Sequence, residues 1–188
     1  MEIRQRLLTS IILFFLIIIP DTSFAFVNKK TDFISSILPE IEMAKDRVGG
    51  IADKIPASLV LAQAIHESGW GTSNFAKDRK NLFGVKTVKV IRKNKSVRKV
   101  MVYKSFNRVG EGIRYYLSNY ASNDDYEELR RYVSKGSGTH TLIKHLGNYA
   151  QDPEYAGKLK KIIDDNHLLK FDSWFKGVRQ KCLTPFNL

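Results

Sequence analysis

Pro56-Ala57-Ser58-Leu59-Val60-Leu61-Ala62-Gln63-Ala64-Ile65-His66-Glu67-Ser68-Gly69-Trp70-Gly71 is the stretch on which the fold turns. Across residues 57–65 only Ser58 and Gln63 interrupt the apolar side chains. A helix drawn over them has no face left for water, so it is a buried helix around which other elements pack. Pro56 suits its start, where no backbone N–H is needed. Gly69 and Gly71 permit the positive φ that ends it. The buried run closes on an acid, Glu67.

Working outward, Phe33, Ile34, Ile37, Leu38, Ile41, Ala44 and Val48 recur at helical spacing. Pro39 reads as the start of that helix and Gly49-Gly50 as its stop. Residues 74–80 are polar and read as one loose helical turn. Across residues 85–104, Val, Ile, Thr and Tyr alternate with Lys and Arg on either side of Lys93-Asn94-Lys95-Ser96. That is the pattern of a β-hairpin with one apolar and one basic face. Helices are predicted over residues 110–121, 124–133, 139–146 and 152–166. The first carries Ile113, Tyr116, Leu117 and Tyr120 on one stripe, and the last opens with Asp152-Pro153-Glu154. Leu168, Leu169, Phe171, Trp174 and Phe175 are expected to pack back on this domain. The predicted class is mainly α (α+β): one helical domain with a small β-hairpin lobe.

Residues 1–25 read as a signal peptide, leaving residues 26–188 as the domain. Arg4 and Arg6 precede an apolar run over residues 7–19, then Pro20, then small residues at Ser23 and Ala25. An uncleaved membrane anchor is the alternative, but the run is shorter than the about 20 residues a spanning helix needs. The formal charge is +12, and Arg4 and Arg6 cancel Glu2 and Asp21, so the domain keeps all of it. Such an excess favours an anionic partner. Export sets nucleic acid aside and leaves an anionic wall polymer or membrane surface. The single cysteine, Cys182, excludes an internal disulfide.

Glu67 is the sharpest candidate for chemistry. Burial among apolar groups and the carbonyl end of a helix both disfavour negative charge there. Trp70, three residues on, could shield it from water. A carboxyl kept protonated can act as a general acid. The plainer alternative is an acid that caps a turn or pairs with a lysine.

Ala64-Ile65-His66-Glu67-Ser68-Gly69-Trp70-Gly71-Thr72-Ser73, then Asn81-Leu82-Phe83-Gly84-Val85-Lys86, resembles the endo-β-N-acetylglucosaminidases of glycoside hydrolase family 73. Within it the chain looks most like the stand-alone Bax-type proteins. Gly147-Asn148-Tyr149-Ala150-Gln151-Asp152-Pro153-Glu154-Tyr155 is similar to the family's later tyrosine motif. The resemblance covers roughly residues 39–166 and implies a lysozyme-like helical fold with a β-lobe. It implies Glu67 as general acid, Tyr149 at the site, and Asn81 and Phe83 lining the cleft. It implies cleavage of peptidoglycan glycan strands between N-acetylglucosamine and N-acetylmuramic acid. The leader and the single-domain size, without wall-binding repeats, point to the periplasm or cell envelope, and a monomer is expected.

Bland readings stand beside these. Trp70, Tyr149 and Tyr155 could be core, and Asn81 could fix its own turn. Ser73, Gly84 and Tyr103 complete the substrate-binding set. Tyr103 ends the hairpin, where packing and substrate contact are both open.

One departure matters. Many family members carry a second acid in the β-lobe, yet residues 79–108 contain no Asp or Glu. The sugar's own acetamido group could take that role. Glu111, the first acid after Asp78, could take it instead. Otherwise the chain is weak or inactive. The alternatives to a glucosaminidase are therefore a lytic transglycosylase or muramidase, which needs one acid, and a non-catalytic glycan-binding module. His66-Glu67 begins a metalloprotease-like string, but Trp70 stands where the second histidine belongs. His140 and His145 match no clear zinc motif. No metal or organic cofactor is expected.

Overall fold

The computed structural model describes residues 22–93, 96–147 and 152–173. The chain divides into two units, residues 1–32 and 33–188, and the core and the site described below belong to the second. Helix α1 is Thr22–Val48 and α2 is Ala57–Ser68, with a 3-10 turn, Ala52–Lys54, between them. A short α3, Asn74–Arg79, leads to strands β1, Lys86–Lys93, and β2, Ser96–Tyr103. Then come α4, Val109–Ser122, α5, Glu127–Ser134, α6, Thr139–Leu142, and α7, Tyr155–Asp165. The mainly helical class with one small antiparallel sheet is as expected.

Helix α2 is the central element: every residue from Ala57 to Ile65 is buried. Ile41 of α1, Ile113 and Leu117 of α4, Leu129 of α5 and Leu159 and Ile163 of α7 are likewise buried in that core. Each such side chain contributes about 1.5–3 kcal/mol by leaving water. The start of α2 has free N–H groups. Asp172 meets them, accepting from Ser58 N at 2.8 Å, Ser58 Oγ at 2.7 Å and Thr139 Oγ1 at 3.0 Å.

Pro39 lies inside α1 and does not start it. Its ring costs the N–H that would reach the Ser35 carbonyl. The buried stripe Phe33, Ile37, Leu38, Ile41 and Ala44 continues through it and holds the helix on the core.

The hairpin also departs from expectation. Its register pairs Lys86 with Tyr103, Val88 with Met101, Val90 with Lys99 and Arg92 with Val97. Partners share a face, so cations and apolar residues are mixed on one side rather than sorted to two. Among the described residues nothing covers Val88, Val90, Val97 and Met101, which are all exposed, so no core rewards such sorting. Among the described residues, no helix is long and apolar enough to cross a membrane.

Candidate active site

The end of α2 is set by three successive left-handed residues: Gly69 at φ 57°, Trp70 at 59° and Gly71 at 73°. The Gly69 and Trp70 N–H groups both return to the Ile65 carbonyl. Ser68 Oγ donates to Ala64 O and accepts from Gly71 N at 2.8 Å. A Cβ on Gly71 would come within 2.9 Å of the Phe33 ring, so only glycine fits. This tight stop leaves Glu67 half-buried on the last turn, at the edge of the core.

Glu67 lines a cleft of about 490 Å³. The opposing wall is Phe83, Gly84, Val85, Lys86 and Tyr103 of the lobe, and the floor is Tyr115, Tyr116 and Asn119 of α4, with Tyr126. A cleft of this size with aromatic faces suits a sugar ring. Glu67 is the one acid among the described residues that line it. Another hollow, about 440 Å³, contains Glu42, Lys45, Asp53, Lys54 and Asp172. Its Asp172 is the cap of α2, and it lies at the far end of that helix from Glu67.

Beneath Glu67 is a polar network in an otherwise apolar core. Tyr155 OH donates to Glu67 Oε1 at 2.9 Å. Gln63 Nε2 donates to Tyr155 OH at 3.2 Å and to Tyr120 OH at 2.8 Å. Gln63 Oε1 in turn accepts from Tyr116 OH and, at 3.0 Å, from Tyr120 OH. Burial, reinforced by the nearby charge of Glu67, raises the Tyr155 hydroxyl far above its ordinary value. Burial does the same for Tyr120. Tyr155 is therefore a neutral phenol and a committed donor. Oε1 of Glu67 is thus engaged as an acceptor on the core side.

The sequence-predicted residues separate into three sets. Glu67, Phe83, Gly84 and Tyr103 meet at the cleft, and Tyr155 grips the acid from below. Phe83 stacks on Tyr116 at 3.8 Å, and Tyr103 lies on Phe75 at 3.9 Å. Ser73 and Asn81 serve the scaffold. Ser73 caps α3 by accepting from Ala76 N. Asn81 is 1% exposed, and its amide bonds Val85 O, Lys104 O and Val85 N. A side chain so engaged pins the base of the hairpin and has nothing left for a sugar. Trp70 is outside the cleft lining, its ring edge-on to Phe33 at 5.9 Å.

Glu111 is placed elsewhere too. It accepts from Asn107 N at 3.2 Å and approaches Arg108 Nε at 3.8 Å, bracing the turn that leads into α4. It lines a smaller hollow with Lys104, Phe106 and Arg114 that adjoins the cleft across Tyr115. An acid on the first turn of a helix is stabilised there by the helix dipole, which accounts for its position. Tyr149, Trp174, Phe175 and Cys182 lie outside the described residues.

Sequence reasoning missed Gln63, Tyr115, Asn119 and Tyr126. Gln63 read as an interruption of an apolar run, although a lone amide in a buried helix demands partners. Tyr115 and Asn119 are one turn apart on α4, a spacing that could have marked a second, cleft-facing stripe beside the buried one.

A helical domain with one half-buried carboxyl in an aromatic cleft beneath a hairpin lobe defines a lysozyme-like glycosidase domain. Residues 49–168 match the family described as mannosyl-glycoprotein endo-beta-N-acetylglucosaminidase, and the chain belongs to that family. It is 32% identical to protein bax of Escherichia coli over 124 residues, 62% of this chain and 45% of bax. It is 28% identical to exo-glucosaminidase LytG of Bacillus subtilis, over 90% of this chain and 68% of LytG. Among solved structures, a peptidoglycan hydrolase from Sphingomonas sp. A1 gives a TM-score of 0.54 at 27% identity, over 74% of this chain and 90% of that one. The catalytic domain of the autolysin Auto from Listeria monocytogenes gives 0.59 at 20% identity, over 77% and 88%, a likeness of fold.

Proposed function

We propose that this chain is an exported peptidoglycan hydrolase, an endo-β-N-acetylglucosaminidase that cuts between N-acetylglucosamine and N-acetylmuramic acid. The observation that carries the reading is Glu67, the single acid among the described residues that line the aromatic cleft, with Oε1 held by Tyr155. Glu67 protonates the leaving glycosidic oxygen. Glu111 is engaged at its own helix start. The acetamido carbonyl of the bound N-acetylglucosamine is then the internal nucleophile at C1, in the manner of substrate-assisted glycosidases. Water opens the resulting ring, and the Glu67 carboxylate takes the proton back.

A second reading has a specific support: one carboxyl suffices for a lytic transglycosylase, and three relatives are named probable N-acetylmuramidases, one of them 30% identical over 165 residues. Mass spectrometry of reduced products from purified sacculi separates the readings. Reducing N-acetylglucosamine ends support the proposal. Anhydro-muramic or reducing muramic ends would replace it with the second reading. Intact sacculi with retained binding would indicate a glycan-binding module.

The remaining parts of the reading concern place and approach. Residues 1–25 act as the export leader, with the cleavage point falling inside α1. The domain acts as a monomer in the periplasm or cell envelope. Its +12 charge draws it to the anionic wall, with the basic hairpin leading.

A further inference from the structure

The hairpin face that walls the cleft continues well past it. Lys86 and Tyr103 are cross-strand partners and both line the cleft. Side chains two residues apart share a face. The pairs Val88–Met101, Val90–Lys99 and Arg92–Val97 therefore extend that wall outward. Counted from the cleft edge at Lys86, the six residue steps to Arg92 make a band about 20 Å long.

The chemistry of this band is unusual for a surface. Val88, Val90, Val97 and Met101 are 53%, 47%, 62% and 63% exposed, four aliphatic side chains in one strip. An antiparallel sheet ordinarily turns its apolar face to a core, and clustered exposed apolar side chains mark binding surfaces. Arg92 and Lys99, both exposed, sit among them, and no acid occurs across residues 79–108. The band therefore fits a ligand that is extended, presents methyl groups and carboxylates, and is joined to whatever occupies the cleft.

Peptidoglycan supplies such a ligand beside each cleavage point: the stem peptide on the muramic sugar, with alanine methyls and free carboxylates. Five extended residues span about 17 Å, within the band. We propose that this face of the hairpin docks the acidic stem peptide, so that peptide-bearing glycan is cut in preference to bare glycan. The proposal rests on the glycan-cleaving reading of the cleft.

The test compares peptide-bearing strands with the same strands stripped by an amidase, using wild type and R92E/K99E. Wild type is expected to favour peptide-bearing strands by about tenfold in kcat/KM. In the variant the ratio falls toward one, with its far-UV circular dichroism unaltered. A wild-type ratio near one, or an unchanged ratio in the variant, would overturn the proposal. Glu67→Gln protein is also pelleted with intact and with stripped sacculi, which reads docking without turnover. Preferential retention on intact sacculi supports the proposal even if neither substrate is cut, the result that would sink the cleavage reading instead. Equal retention, together with charge-dependent binding to phosphatidylglycerol vesicles, would reassign the band to a lipid surface.

Discussion

Glu67 depends on a neighbour that the core holds rigidly. Tyr155 is buried, its hydroxyl is held by Gln63, and its bond to Glu67 Oε1 orients the acid. A hydrogen bond to a group that bears charge during the reaction contributes about 1.5–3 kcal/mol. Tyr155→Phe should therefore lower kcat on sacculi by tenfold or more while changing KM little. A wild-type kcat in that variant would show that the bond does not orient the acid. Gln63→Leu should cost more in stability than in orientation, because it removes an amide to which three buried tyrosine hydroxyls are bonded. Its melting temperature, beside that of Tyr155→Phe, separates the two roles.

Among the elements, α2 is anchored at its start by an acid far along the chain. Asp172 accepts from Ser58 N, Ser58 Oγ and Thr139 Oγ1. Losing a helix cap costs about 1–2 kcal/mol. Asp172→Ala should lower the melting temperature, with little change in turnover at 25 °C, since the cap is at the opposite end from Glu67. Equal stability of that variant and wild type would mean water replaces the cap. Much of the element plan was legible in the sequence because it rests on local rules. The all-apolar run of α2, the stripe on α4 and the opening Asp152-Pro153-Glu154 of α7 each declare themselves within a few residues. What stayed illegible depends on distant partners. Pro39 is tolerated in α1 because the core grips both sides of it. Whether Asn81 fixed its own turn or lined the cleft was open in the sequence, and its bonds to Val85 and Lys104 across the base of the hairpin needed the fold. The sorted faces expected of the hairpin need a covering layer, which the sheet lacks. At the site the acid and its Phe83 wall were readable, whereas the α4 floor needed the fold to bring it beneath Glu67.

For the molecule as a whole, charge and buried phenols set the response to conditions. A domain at +12 meeting an anionic wall gains rate from attraction that salt screens, with a Debye length of about 10 Å at 0.1 M. Activity on intact sacculi should fall steeply with added salt, and a flat profile would remove any steering role for the charge. Tyr120, Tyr126 and Tyr155 are raised above the ordinary 10.0, in each case first by burial. The folded state therefore keeps their protons after the unfolded chain has released its own. Their contribution to stability is whole below pH 10 and declines as pH rises beyond it. Denaturant titrations should show that decline, and it should be shallower by one proton in Tyr120→Phe.

The most direct test of the account is the rate at which Glu67→Gln releases glycan fragments from purified sacculi beside the wild-type chain. With Glu67 the single acid among the described residues that line the cleft, the account predicts a loss of about 10²–10⁴-fold in kcat with sacculus binding preserved. A Glu67→Gln rate within a few fold of wild type would contradict it and place the proton donor elsewhere.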